Sequence, residues 1–182
     1  MFKKKLKLIF KTILRFSKSF TILELLVVIA ILGLLSSIFI LSYPAIVEKA
    51  YLARTIQETD AIVRGIQLYT TEHYGEYPDD INRDIPPEVE EFIATEDYWP
   101  RAPWPDSVYD WDNWTDPSTG EKIYQLSIRF CEYNNPDNCN FPDTAWAEDF
   151  DYYSAAYYCI EGPCRSHINK PLDHPGYCLN CE

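Results

Sequence analysis

Basic residues are scarce over most of this chain, glycine and histidine are few throughout, and the common catalytic signatures are missing. The 182 residues include six Gly, three His and one Met. No Gly-x-Ser-x-Gly, P-loop, His-Glu-x-x-His or Gly-x-Gly-x-x-Gly string occurs, so the sequence carries none of the chemistry those motifs build. The histidines (His73, His167, His174) form no paired motif, and the chain reads as a non-enzyme. After residue 19, nine Lys/Arg face 28 Asp/Glu, a net of −19. Such a surface repels phosphate and excludes a general nucleic-acid binder. No Cys precedes Cys131. A hydrophobic content of 47% excludes a disordered or collagen-like chain.

What is present is unevenly placed. Residues 1–19 hold seven Lys/Arg and no acid. An uncharged apolar run follows at residues 25–43, close to the ~20 residues that span a bilayer. All six Cys lie in the acidic body beyond it. The positive-inside rule keeps the basic front in the cytoplasm and sends the body outside, where disulfides form. A signal peptide cut after the run fits less well, because no small-x-small site follows it. Glu24 fits a plain anchor poorly. It stands among apolar residues, where an ionisable group costs a few kcal/mol unless it has a partner or reaches the interface.

The string Lys18-Ser19-Phe20-Thr21-Ile22-Leu23-Glu24-Leu25-Leu26-Val27-Val28-Ile29-Ala30-Ile31-Leu32-Gly33-Leu34-Leu35 resembles the N-terminal motif of type IV pilins and type II secretion pseudopilins. The resemblance implies that a prepilin peptidase cuts between Ser19 and Phe20 and methylates Phe20. It also gives Glu24 and Gly33 assembly roles. Ser19 stands where the family usually has Gly, and Pro44 comes about one helical turn after the familiar proline. In a filament, Glu24 of one subunit would pair with the Phe20 amine of its neighbour. Losing one member of a buried pair costs ~3–5 kcal/mol, which would fix the axial register. Gly33, Ser36 and Ser37 are small enough for close helix approach, or are tolerated filler.

Beyond Tyr43, Ile46, Ala50, Ala53, Ile56, Val63, Ile66 and Thr70 recur at steps of three and four, with a gap near Thr59 and Asp60. This predicts an amphipathic helix against a small domain, with Glu48, Lys49, Arg54, Glu58 and Arg64 mostly pointing away. Residues 20–74 as one helix would run about 80 Å. Gly75 is the expected left-handed C-cap and Pro78 the stop. Gly75-Glu76-Tyr77-Pro78 again resembles the family's exit from the long helix.

Residues 76–118 carry seven Pro and read as loop, with a short helix around Glu88–Ala94. Lys122–Phe130 alternates as a strand, and Phe150–Ile160 is expected to pair with it. Ser107–Trp111 is a shorter candidate. Trp99, Trp104, Trp111, Trp114 and Trp146 most simply build a small core; an aromatic face for sugars is the sharper alternative. The Cys spacing suggests three local bridges, Cys131–Cys139, Cys159–Cys164 and Cys178–Cys181, although six Cys allow fifteen connectivities. Zinc on the last four Cys, with His167 and His174, is the competing reading. Asp106, Asp110, Asp112 and Asp116 are calcium candidates without a calcium-loop signature; a solvated acidic loop is simpler. Asn113-Trp114-Thr115 is a glycosylation sequon.

The expected protein is α+β. It has a cleaved leader (1–19), a transmembrane and assembly helix (20–43), an amphipathic continuation (44–75) and a head (76–182) with a small antiparallel sheet and disulfide-braced loops. The resemblance implies a single-pass precursor in the cytoplasmic membrane. Its partners are prepilin peptidase, the assembly machinery and identical or related subunits, and the product is a surface or periplasmic filament. No cofactor is implied apart from calcium. The alternatives are a secretion pseudopilin and a membrane-anchored, disulfide-rich adhesion module.

Overall fold

The computed structural model describes residues 20–93 and 100–181. The leader, Ser19, Ala94 and Trp99 lie outside the described residues. The chain divides into two compact units between Tyr43 and Pro44. Helix α1, Ile22–Glu72, has Pro44 inside it. In the first unit, Ile22–Ile40 is long and apolar enough to cross a membrane, and none of it is buried.

In the second unit, α1 buries Thr55, Thr59, Ile62, Val63 and Ile66. The predicted stripe is therefore out of phase at its start. Ile46 is 59% and Ile56 44% exposed. The packed face runs instead through Tyr51, Leu52, Thr55 and Thr59. A stripe counted from apolar letters alone skips threonine, which offers a buried methyl on a stiff, branched stem. Glu48 and Glu58 also lie toward the head. Glu48 accepts from Trp104 Nε1 at 2.8 Å, and Glu58 accepts from the Tyr109 hydroxyl at 3.0 Å.

At the end of α1, Tyr74 (φ 58°) and Gly75 (φ 91°) are both left-handed. The Gly75 N–H bonds the Thr70 carbonyl at 2.8 Å, and the Glu76 N–H bonds that of His73. Tyr74, rather than Gly75, is the first residue of the reversal. The Tyr77 ring then stacks on Tyr124 at 4.0 Å, and the Pro78 carbonyl accepts from Trp111 Nε1 and Asn113 Nδ2. The short helix is a 3-10 turn, Pro87–Val89, continued by α2, Glu90–Ile93. Gly65 of α1 makes room for it, since a Cβ there would lie 2.4 Å from Ile93 Cγ1.

Four strands follow: β1 Val108–Thr115, β2 Lys122–Arg129, β3 Ala155–Glu161 and β4 Tyr177–Cys178, side by side in that order. β1 and β2 are antiparallel, with Val108 opposite Arg129 and Thr115 opposite Lys122. β2 and β3 are also antiparallel, with an irregularity between Tyr124 and Gln125. β4 runs parallel to β3, so the sheet is mixed and not purely antiparallel. The expected strand at 150–160 starts only at Ala155. Before it, Asp151 closes a turn by accepting from the Tyr153 N–H and the Ser154 hydroxyl. An Asp side chain that mimics backbone in this way favours a turn over a ladder. β1 runs four residues past the expected end at Trp111, through the sequon.

The core joins Ile62, Val63 and Ile66 of α1 to Trp111, Leu126 and Ile128 of the sheet. An aromatic group extends it. Trp104 meets Phe130 edge-on at 5.5 Å, Trp146 meets Phe150 in the same way, and Trp146 stacks on Tyr177 at 4.5 Å. Such pairs add ~0.5–1.5 kcal/mol beyond area burial.

Candidate functional site

α1 starts with a reciprocal cap. The Thr21 N–H and hydroxyl both donate to Glu24 Oε2, at 2.9 and 2.8 Å. The Glu24 N–H donates back to Thr21 Oγ1 at 3.2 Å. This is the Ser/Thr-x-x-Glu capping box, which satisfies two of the orphan N–H groups at a helix start. It sets the first helical residue at Ile22, two positions after Phe20. Glu24 Oε1 makes no hydrogen bond among the described residues. Glu24 is therefore an oriented carboxylate with one oxygen uncommitted among the described residues.

Around this cap the surface is apolar. Phe20, Ile22, Leu23 and Leu25 are each more than half exposed. Gly33 has open space where a Cβ would be, and the Ser37 hydroxyl bonds back to the Leu34 carbonyl at 2.7 Å. Pro44 lacks the N–H that a helix interior uses.

In the head, Cys131 pairs with Cys139, Cys159 with Cys164 and Cys178 with Cys181, leaving no free thiol. Zinc ligation by those thiolates is overturned, because the sulfurs are in disulfides. His174 Nε2 lies 3.0 Å from Asp151, and His167 Nδ1 accepts from the Asn169 N–H.

Three of the four calcium candidates are engaged elsewhere. Asp110 is 2.5 Å from Arg129 Nε and accepts the Arg83 N–H at 2.6 Å. Asp112 accepts from Gln125 Nε2 at 2.9 Å, from the Ser127 hydroxyl and from Arg129. Asp116 is 2.5 Å from Arg165 and holds the following turn through Ser118. Asp110, Asp112 and Asp116 are buried, against the expected solvated loop, and Asp106 is exposed with a left-handed backbone (φ 60°). Among the described residues no group of three or more His, Cys, Asp or Glu could hold a metal. Burial pushes the Asp112 carboxyl up to about 7, with Arg129 pulling it down and Asp110 pushing it further up. The hydrogen bonds from Arg165 and Ser118 hold Asp116 below the usual carboxylate range. The Asn113 amide of the sequon donates to the Pro78 carbonyl at 2.7 Å.

Arg129 and Arg165 were the missed partners of this acidic string. A signal existed. Asp110 and Asp112 share one face of β1, while Gln125, Ser127 and Arg129 share one face of β2, and the register sets Asp110 opposite Ser127 and Asp112 opposite Gln125. That polar face is covered by the chain after β3, whose Arg165 and Ser166 carbonyls accept from Gln125 and Arg129.

Residues 14–40 match the family model described as the Prokaryotic N-terminal methylation motif. No curated protein and no solved structure matches the chain. The matched stretch contains the Thr21–Glu24 cap and the apolar helix Ile22–Ile40. The match is to a prepilin-type motif at the front of the chain and supports its resemblance to type IV pilins and pseudopilins.

Proposed function

We propose that the protein is a structural subunit of a type IV pilus-like surface filament. The observation that carries this reading is the methylation motif set on an exposed, charge-poor helix that starts two residues after the expected cut. The precursor sits in the cytoplasmic membrane with its leader inside and its head outside. Prepilin peptidase hydrolyses the Ser19–Phe20 bond and the new amine is methylated. Apolar α1 surfaces of successive subunits pack together, and Glu24 Oε1 receives the Phe20 ammonium of a neighbour. The subunit itself catalyses nothing, and its acidic head faces water. A pseudopilin of a secretion system uses the same helix chemistry and differs in where the filament ends.

Intact-mass and N-terminal peptide spectrometry on native membranes and on sheared surface material tests this. The expected chain begins at methylated Phe20, lacks six hydrogens through its three disulfides and appears in the sheared fraction. Processed chain confined to the periplasm would favour the pseudopilin. A chain still starting at Met1 would overturn the filament reading and favour an anchored binding module.

A further inference from the structure

A cavity of about 170 Å³ opens between five segments of the head. Its lining includes Arg83, Arg129, Tyr133, Tyr152, Tyr153 and His167. At ~30 Å³ per water it holds about six waters, the size of one small polar molecule. The floor is the buried Arg129–Asp110 pair, and both Asp110 oxygens are taken, by the Arg83 N–H and by Arg129. The floor therefore offers an incoming molecule little further acceptor capacity.

The walls carry donors. Arg83 makes no ion pair among the described residues, and its guanidinium spends one N–H on the Cys131 carbonyl. Its backbone is left-handed (φ 61°), a conformation that Gly or Asn adopts more cheaply. The Arg83 guanidinium lies 5.6 Å above the Tyr133 ring, and Lys170 lies 4.2 Å above the Tyr153 ring. These contacts hold two cations near the opening. The Tyr152 oxygen accepts the Asn134 N–H, which leaves its own O–H to donate. Burial, with Arg129 adding, brings His167 down to about 4. The ring is therefore neutral near pH 7, and with Nδ1 accepting from Asn169, Nε2 carries the hydrogen. Tyr133 is 57% and Tyr153 38% exposed, so two amphipathic rings border the opening.

On a head of net −17 (residues 76–182), this is a donor-rich pocket with a planar cation that makes no ion pair among the described residues, and with hydroxyl-bearing rings. We infer that it binds the carboxylate of an acidic sugar: Arg83 takes the carboxylate as a fork, and the Tyr hydroxyls take the ring hydroxyls. The site lies wholly in the second unit, and the inference holds whether the protein ends in a pilus, a pseudopilus or the membrane.

The test is saturation-transfer NMR on the full chain in detergent micelles, with glucuronate, glucose, acetate and inorganic phosphate as separate probes. Glucuronate is expected to bind saturably, with each other probe at least about tenfold weaker. Arg83→Gln should weaken glucuronate at least about tenfold. Tyr133→Leu, at a more exposed position, should weaken it by about threefold and serves if Arg83→Gln fails to fold. No saturable binding of any probe up to about 10 mM would overturn the proposal. Acetate or phosphate matching glucuronate would overturn the sugar assignment. Glucuronate binding unchanged in either folded variant would place it elsewhere and overturn the site.

Discussion

The helix Ile22–Ile40 and the sheet of the head treat charge in opposite ways. The helix holds one ionisable side chain, Glu24, and buries none of its residues. The sheet and the chain that flanks it bury Asp110, Asp112, Asp116, Arg129 and Arg165 and partner each of them inside the same unit. These five buried charges are thus paired within the head. The apolar surface of the helix and the spare oxygen of Glu24 have no complement among the described residues of their own unit. Composition that a unit does not use internally points to its surroundings, which in the proposed function are a bilayer and then other subunits. The head's composition explains its own interior.

The largest effect that would break this contrast is removal of the head's central cation. Arg129→Met strands Asp110 and Asp112 and should cost ~3–5 kcal/mol of unfolding free energy, followed by Trp fluorescence of the full chain in denaturant. Leu26→Ala, in the exposed helix, should leave the same curve unchanged. A small loss for Arg129→Met would mean the carboxylates are not held as a charged set. Next is the first bridge. The double variant Cys131→Ser/Cys139→Ser opens a loop of sequence separation 8 and should cost ~2–3 kcal/mol in the same assay.

The third effect is one of pH. Asp112 is raised to about 7 in the folded chain, so its contribution is present below its ordinary 3.8 and is lost as pH rises toward 7. His167 is lowered to about 4, so its contribution is present above its ordinary 6.5 and is lost as pH falls toward 4. The two slopes oppose each other between about pH 4 and 6.5. Asp112→Asn should expose a stability that falls on acidification through this window. His167→Gln should expose one that falls as pH rises. Identical pH profiles for both variants and the parent would show that neither group titrates as its surroundings dictate. The smallest effect is at the cap. Thr21→Ala should cost ~1 kcal/mol locally, read as faster hydrogen exchange at Leu23–Leu25, with head unfolding unmoved.

Much of this architecture was legible where the signal is local. The alternation of β2, the pairing of cysteines a few residues apart and the methylation motif at residues 14–40 each need only a short stretch of chain. What failed needed the fold. Thr55 and Thr59 were passed over as core because their letters are polar, and the face of α1 was misphased by their omission. β4 is two residues long and carries no periodicity; the chain after β3 makes it parallel. The string Asp110, Asp112, Asp116 looked solvated because Arg129 and Arg165 are distant in sequence. The aromatic letters around Tyr133 and Tyr153 hinted at a sugar-facing surface, but only the packing of five segments produces a cavity there.

The three bridges close loops of separation 8, 5 and 3, and none joins one end of the head to the other. Under tension between α1 and Cys181, covalent bonds would shorten the extensible length by those small loops alone. Nearly the whole head would pay out as slack once its sheet tore. Resistance to force therefore rests on the antiparallel β1–β2–β3 ladders and the buried aromatic group, and a reducing environment would lengthen the fully extended head only slightly.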